Sequence, residues 1–182
     1  YIAQVQSKLP VYLNQFVPNA EATGYSEYTL SILFTGHVIL TALCQLPVAR
    51  LLKPLAQPRA LMISTVLWGA GFALVWATGT GLLSRASGGT ALALAVMAIA
   101  TTAYTPIASS FVAMLAPEAL RGVYLSINSM CWALGYFVAP PLGGWALDQS
   151  PNMANSIRLL AAASIVPVLA VLAYLDHQVS TR

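Results

Sequence analysis

The sequence predicts an all-α membrane protein with six transmembrane helices. Of its 182 residues, 58% are hydrophobic and only 7% are charged, whereas a soluble domain carries roughly 25% charged residues. A chain with so little charge cannot cover a surface that faces water, so we place it in a lipid bilayer. Its apolar runs are also long enough to cross a hydrocarbon core of about 30 Å as helices.

Six apolar runs, separated by polar loops, divide the chain into the predicted helices of one domain. The fourth and sixth runs contain Pro106 and Pro167, which a membrane bundle tolerates when neighbouring helices satisfy the freed carbonyls. Cys44 and Cys131 fall inside predicted helices, and we interpret them as packed thiols. The six helices are expected at residues 1–17, 29–52, 60–80, 91–115, 122–147 and 156–175.

The fifth predicted helix carries a motif for close helix packing. No charged residue lies between Arg121 and Asp148, which indicates a membrane span. Gly135, Ala139 and Gly143 recur every four residues, so they share a face without bulky side chains that another backbone can approach closely. The predicted packing motif comprises Gly135, Ala139, Pro140, Pro141, Gly143 and Gly144.

This motif resembles a segment of the major facilitator superfamily. Arg121-Gly122, Leu134-Gly135 and the run from Pro140 to Gly144 resemble the region from loop 10–11 through helix 11 of these transporters. A similar glycine–proline motif lies in helix 5 of the drug-exporting branches. The opening stretch, residues 1–13, resembles helix 7, and Gln45-Leu46-Pro47 with Arg50 resembles the end of helix 8.

The resemblance implies that the chain is the C-terminal six-helix half of a twelve-helix transporter. Its partner would be an N-terminal half of the same polypeptide, against which it rocks to expose a site alternately on each side. The chain starts within an apolar run that lacks a basic leader, which we interpret as the inside of a helix in a longer protein.

Loop charges predict the orientation of the chain. An excess of Lys and Arg marks the cytoplasmic side, and here it places both chain ends inside, with the plasma membrane as the expected location. The opposite side is expected to hold Arg85 and Arg158, beside Glu21, Glu27 and Asp148. The cytoplasmic loops comprise Arg50, Lys53, Arg59, Glu118 and Arg121, and Arg182 ends the chain on that side.

The third and sixth predicted helices contain few polar residues. The third offers mainly Ser64 and Thr65, and the sixth offers little beyond Ser164. Helices with almost no polar atoms can face lipid, whereas polar helices face a bundle interior or a water-filled cavity. We therefore expect these two helices on the outside and the other four around a cavity, as in facilitator folds.

Lys8 is the most informative single residue. Gln4 and Gln15 lie on the same face of the first predicted helix, one turn before it and two turns after it. A lysine within a span is costly unless it is hydrated or paired. It would either be a cavity cation that binds an anionic substrate or a proton-carrying acid, or reach the headgroups from near the cytoplasmic end.

His37, Thr41 and Gln45 form a second polar face, because they recur every four residues on the second predicted helix. A histidine can change charge near neutral pH, as proton coupling requires. A neutral histidine bonded to a neighbouring helix would instead serve packing, and we favour this interpretation for a single histidine. No Asp or Glu lies within a predicted span, so a coupling carboxylate is expected in the partner half.

Two further faces complete the candidate cavity. Thr101 and Thr105 share a face of the fourth helix, where small hydroxyl residues either join helices or contact a ligand. Asn128, Trp132 and Tyr136 recur every four residues on the fifth helix. An aromatic face with one amide suits the wall of a site for an amphipathic ligand, although ordinary packing would produce the same pattern.

These observations favour a transporter over an enzyme. The predicted spans lack the motifs of an intramembrane hydrolase or metalloprotease, so we expect no catalytic residue, metal site or cofactor. The dispersed basic residues give no sign of nucleic-acid binding. The expected activity is export of an amphipathic compound in exchange for protons, within membrane lipid. The alternatives are a metabolite importer of the same fold and a membrane scaffold or sensor that transports nothing.

Overall fold

A computed structural model describes residues 1–17, 24–82, 87–149 and 151–180. Expectations for Glu21, Arg85 and Arg182 therefore lie outside the described residues. Every regular element in the described ranges is helical, and a short 3₁₀ turn, Glu118–Leu120, precedes α6. The α-helices are α1 (Ile2–Ser7), α2 (Leu9–Gln15), α3 (Glu27–Leu52), α4 (Gln57–Gly79), α5 (Gly88–Leu115), α6 (Arg121–Gln149), α7 (Pro151–Ala163) and α8 (Ile165–Ser180).

Proline accounts for the two interrupted helices. The first predicted helix is divided into α1 and α2 at Lys8, two residues before Pro10, and the sixth into α7 and α8 at Ser164, three residues before Pro167. Proline lacks the N–H of the i→i−4 hydrogen bond, and its ring crowds the carbonyl of that residue. Other helices continue through their prolines, which are Pro47 in α3, Pro106 in α5, and Pro140 and Pro141 in α6.

Helices long and apolar enough to cross a membrane dominate the described residues. They comprise Glu27–Leu52, Gln57–Gly79, Gly88–Leu115, Glu118–Asp148 and Ser156–Gln178. The first predicted span is absent from this set because its break leaves α1 and α2 with 6 and 7 residues. The chain is thus an integral, multi-pass membrane protein.

The core lies along α4, which packs against α5 and against α7 and α8. Trp68 and Phe72 of α4 stack with ring centroids 6.1 Å apart. Met97 of α5 and Tyr12 of α2 complete this core and are fully buried. Ser64 is also buried. Its hydroxyl donates a 3.0 Å hydrogen bond to the carbonyl of Ala100, which satisfies the buried group and joins α4 to α5.

The burial of α4 corrects the expectation that the third helix faces lipid. Half of its most apolar stretch is buried inside the bundle, and its exposed apolar side chains include only a narrow stripe around Ile63 and Val66. Apolar side chains suit lipid and a protein interior equally well. Few polar residues therefore indicate a membrane helix but do not show whether it lies at the edge of the bundle.

The α3 and α6 helices lie at the edge of the described bundle. None of the residues in their most apolar stretches is buried. Large apolar side chains such as Leu43 and Leu46 on α3, and Met130 and Phe137 on α6, are mostly exposed. Where these helices do meet the rest of the bundle, they border two cavities.

Candidate functional site

An aromatic cavity of about 370 Å³, called here cavity 1, opens between α1, α4, α5, α6 and α8. Its wall on α6 contains the predicted residues Asn128, Trp132 and Tyr136. The remaining lining residues are Tyr1, Ile2, Ala3, Thr65, Trp68, Tyr104, Cys131, Gly135, Ala139 and Val168.

The rings of cavity 1 form two groups. Trp132 lies 5.8 Å from Tyr104 and 6.2 Å from Tyr136, between ring centroids. Tyr1 stacks on Trp68 at 5.8 Å. Aromatic walls with few polar anchors are typical of sites for small amphipathic molecules, and here Asn128 supplies an amide among them.

A second cavity of about 390 Å³, called here cavity 2, lies between α1, α3 and α5 and is more polar. It brings together the predicted face of α3, which is His37, Thr41 and Gln45, and the predicted Thr101 of α5. Gln6 adds an amide from α1, and the apolar lining consists of Val5, Phe34, Val38 and Ala42.

A hydrogen bond assigns the tautomer of His37. Its Nδ1 lies 2.9 Å from the carbonyl oxygen of Leu94 on α5. A carbonyl only accepts, so Nδ1 must carry a proton, and in the neutral ring Nε2 is then an acceptor. The bond links α3 to α5, as the packing interpretation expects, and also leaves a lone pair at the cavity.

The two threonines of cavity 2 also present lone pairs. The Thr41 hydroxyl donates to the carbonyl of His37 at 2.8 Å, and the Thr101 hydroxyl donates to the carbonyl of Met97 at 2.8 Å. These bonds use the hydroxyl protons within the helices, so each oxygen meets the cavity as an acceptor.

Tyr136 and Gln6 join the two cavities at their common border. The Tyr136 hydroxyl donates a 3.0 Å hydrogen bond to Gln6 Oε1. Tyr136 lines cavity 1, and Gln6 lines cavity 2. Both side chains are exposed, so this bond can open without uncovering a buried group.

The small face of α6 is used in two ways. Gly135 and Ala139 line cavity 1. Farther along, a Cβ placed on Gly143 would lie 2.6 Å from Gln4 Oε1, and one placed on Gly144 would lie 3.0 Å from Lys8 Nζ. The predicted close approach therefore occurs here, with α1 and the residue that follows it as the neighbours.

Gln4 and Lys8 consequently lie on α6 and line neither cavity. Gln4 Nε2 donates to the carbonyl of Ala139 at 2.6 Å, while its Oε1 is buried without a partner. Lys8 is half-buried and has no ion-pair partner among the described residues. Gln15 and Thr105 are exposed and also line neither cavity.

The charged residues at the helix ends pair locally. Arg59, at the start of α4, donates from Nε to both carboxylate oxygens of Asp176 on α8, at 3.0 and 3.2 Å. Glu118 and Arg121 approach each other at 3.9 Å within their turn. Arg50 and Lys53 are exposed.

Arg158 was predicted near the outer end of the sixth helix, and the structure places it within a helix but buries its side chain. Arg158 lies inside α7, is only 2% exposed, and sits 4.7 Å above the centre of the Tyr12 ring. Such a cation–π contact partly offsets the loss of water around the guanidinium. No local pattern reveals the pairing, because Tyr12 lies at the other end of the chain.

Sequence reasoning also omitted several walls of cavity 1. Tyr1, Trp68 and Cys131 are lining residues that belong to no polar or aromatic repeat around the predicted site. The one sequence signal for walls of this kind is an aromatic residue within an apolar helix, as at Trp68 and Tyr104.

Within the described residues, no group of three or more His, Cys, Asp or Glu side chains could hold a metal ion.

Comparison with known proteins agrees with this architecture. A relative named a Na(+), Li(+), K(+)/H(+) antiporter, from Planococcus maritimus, is 23% identical over 153 residues. The match covers 78% of this chain and 35% of the relative, so the chain spans about a third of that protein's length. No solved structure matches significantly.

The family itself follows from a broader match. The sequence model of the Major Facilitator Superfamily matches residues 9–181, which is nearly the whole chain. It covers α3 to α8 and the cavity walls that they supply. The chain therefore belongs to the Major Facilitator Superfamily.

Proposed function

We propose that this chain is the C-terminal half of a secondary transporter that exports a small amphipathic compound in exchange for protons. The observation that carries the proposal is the pair of adjoining cavities, one aromatic and one polar, in a chain of this family. An amphipathic compound needs both an apolar and a polar surface, and the two cavities offer them side by side.

The exposed faces of α3 and α6 support a partner half. Both cavities are bordered by these two edge helices. A second six-helix half that packs there would close the cavities on one side at a time, as alternating access requires. The match to only 35% of the antiporter relative is consistent with an upstream half in the same polypeptide.

Proton coupling is supported by the chemistry of cavity 2 and by the relative. Cavity 2 contains the His37 ring, whose Nε2 carries a free lone pair that can accept a proton, and the relative's name describes exchange of cations for protons. None of the described carboxylates lines either cavity, so we assign any further proton-carrying acid to the partner half.

The two alternative functions, a metabolite importer and a membrane scaffold or sensor, have less support. A carboxylate importer would use Lys8 as its anion site, but Lys8 lies against Gly143 and Gly144, away from both cavities. A scaffold would have no use for two adjoining cavities. We further propose that the protein resides in the plasma membrane with both ends of this chain in the cytoplasm, on the basis of its basic loops.

The test uses the intact parent protein in inside-out membrane vesicles that maintain a proton gradient. Amphipathic amines, acids, sugars and amino acids are added in turn, and collapse of the gradient reports exchange. We expect at least one amphipathic compound to collapse it. The response should be lost with Trp132→Ala, which removes the central ring of cavity 1.

The matched control is Trp76→Ala, because Trp76 is a half-buried tryptophan of α4 that lines neither cavity. It should retain the response at equal protein level. A parent protein that is present and intact but silent toward the whole panel would contradict the proposed export.

A further inference from the structure

An exposed apolar face of α3 leads to two neighbouring cations. Ile39, Leu43 and Leu46 are 53%, 70% and 69% exposed, and they recur every three or four residues, so they share one side of the helix. Arg50, in the last turn of α3, and Lys53, at its C-terminal cap, continue the same spacing and are also exposed. These five residues are called here the α3 stripe.

The α3 stripe faces away from both cavities. None of its residues lines either one. Arg50 follows Thr41 by nine residues, which is two and a half helical turns, so it lies opposite the α3 wall of cavity 2. The bond from His37 to Leu94 shows that α3 meets α5 on the side of that wall. A partner half that closes cavity 2 would therefore leave the α3 stripe facing lipid.

The length of the α3 stripe matches the depth of one lipid leaflet. Lys53 follows Leu43 by ten residues, which corresponds to a rise of about 15 Å along a helix. The hydrocarbon core of a bilayer is about 30 Å thick, so one leaflet contributes about 15 Å. An acyl chain that lies along Leu43 and Leu46 would thus have its headgroup beside Arg50 and Lys53.

The two cations of the α3 stripe have no acidic partner among the described residues. By contrast, Arg59 and Arg121, at the same end of the bundle, approach carboxylates at 3.0 and 3.9 Å. The sequence contains no Asp or Glu between positions 27 and 118, so no acid near Arg50 or Lys53 along the chain offsets their charge. Because they lie one helical turn apart, both can contact one phosphate, the arginine through paired N–H groups and the lysine as a point charge.

We propose that the α3 stripe binds one anionic phospholipid, with its phosphate between Arg50 and Lys53 and an acyl chain along Leu46 and Leu43. This end of α3 lies on the side proposed to be cytoplasmic, where anionic lipids create a negative surface potential. A zwitterionic phospholipid offers the same chains but carries a cation beside its phosphate, so it binds more weakly. The inference is independent of the proposed export, because it uses neither cavity.

The first test is a competition between phosphatidylglycerol and phosphatidylcholine with identical acyl chains. Both are offered in equal amounts to the purified parent protein in detergent, and native mass spectrometry counts the bound lipids. Each cation near a phosphate strengthens binding by about fivefold. The double variant Arg50→Gln/Lys53→Gln should therefore bind one phosphatidylglycerol about twentyfold more weakly and retain one fewer than the unsubstituted protein. An unchanged count would overturn the proposal.

The matched control is the double variant Arg59→Gln/Arg121→Gln. It removes the same charge from the same end of the bundle but leaves the α3 stripe intact. It should retain the phosphatidylglycerol that Arg50→Gln/Lys53→Gln loses. An equal loss in both variants would show that the lipid responds to overall charge alone, which would overturn the assignment to the α3 stripe. All four arginine and lysine side chains are exposed, so both variants should fold.

The second test asks whether lipid covers the apolar part of the stripe. Leu46→Trp adds an indole there, and phospholipids with brominated acyl chains quench a tryptophan that they contact. In nanodiscs of the parent protein, the added fluorescence should be quenched at a lower fraction of brominated phosphatidylglycerol than of brominated phosphatidylcholine. Absence of quenching by either lipid would show that protein, such as the partner half, covers the stripe, and would refute the proposal.

The same reporter distinguishes a lipid from a soluble anion. A large excess of inorganic phosphate, at constant ionic strength, should leave the preference for phosphatidylglycerol unchanged, because free phosphate has no acyl chain to contact Leu43 and Leu46. Loss of the preference would assign Arg50 and Lys53 to a site for soluble phosphate and would overturn the lipid assignment.

Discussion

Glycine serves opposite purposes in α4 and in the middle of α6. In α4, a Cβ on Gly69 would lie 2.6 Å from Ile165 Cδ1, and one on Gly71 would lie 2.5 Å from Met97 Cγ. In α6, a Cβ on Gly135 would meet no atom within 4 Å, and Gly135 lines cavity 1. The same residue type therefore permits close packing in the core and preserves empty space at the site.

This difference indicates how the bundle separates stability from function. The α4 seam is filled by buried side chains from α5 and by mostly half-buried side chains from α7 and α8, whereas the most apolar stretch of α6 has no buried residue. Substitutions in the two helices should therefore change different measurements.

The largest effect is expected in the α4 seam. Gly71→Ala forces the fully buried Met97 to move, and such overpacking costs about 1–3 kcal/mol. The melting temperature of the purified parent protein in detergent should fall. Gly36→Ala in α3 is the control, because its Cβ would meet nothing within 4 Å, and it should leave stability unchanged or raise it. Equal melting temperatures for the two variants would contradict the packing.

A large side chain at the open glycine should act on transport instead. A Cβ at Gly135 would meet no atom within 4 Å, and the side chain of Gly135→Leu would extend into cavity 1, so we expect substrate affinity to fall by about tenfold, or about 1.4 kcal/mol. The melting temperature should be retained. Gly122→Leu, at an open position of α6 that lines neither cavity, should preserve affinity, and an equal loss there would argue against cavity 1.

The covered end of the same face should behave like α4, more weakly. Gly143→Ala displaces the Gln4 amide, so the hydrogen bond to the carbonyl of Ala139 is lost, at a cost of about 1 kcal/mol. In the double variant with Gln4→Ala, the two losses should be less than additive. Strictly additive changes in melting temperature would show that Gln4 does not lie on Gly143.

The smallest effect is expected at the ends of the helices. Arg59→Gln removes the ion pair with Asp176, in which the arginine side chain is 58% exposed, and such pairs contribute about 0–1 kcal/mol. The loss should shrink further at high salt. Arg50→Gln, an exposed arginine in the last turn of α3, is the control, and a large drop for Arg59→Gln alone would show that this end is a main source of stability.

The features that could be predicted from the sequence are those whose pattern lies within one apolar run or one helix. The all-α membrane fold and the family were predicted correctly, since long apolar runs and the α6 motif are local features. The residues of cavity 1 on α6, and the α3 residues of cavity 2, share a face within one helix. Their four-residue spacing therefore predicted that they lie side by side, without knowledge of how the helices pack.

The features that were missed depend on contacts between distant segments. Tyr1 meets Trp68, and Arg158 meets Tyr12, only after the bundle has folded. The burial of α4 was missed because its apolar residues are equally suited to lipid. The break at Lys8 was missed because Pro10 interrupts its helix, while Pro106 does not interrupt α5.

The most direct test asks whether substrate occupies cavity 1. Cys131 is a free, exposed thiol in its lining, so its alkylation by N-ethylmaleimide can be followed in a parent protein whose other cysteines are replaced by serine. A compound that collapses the proton gradient should slow this alkylation, with half-protection near the concentration that gives half-maximal collapse. An alkylation rate unchanged at a saturating concentration of a transported compound would contradict the assignment of cavity 1 as the substrate site.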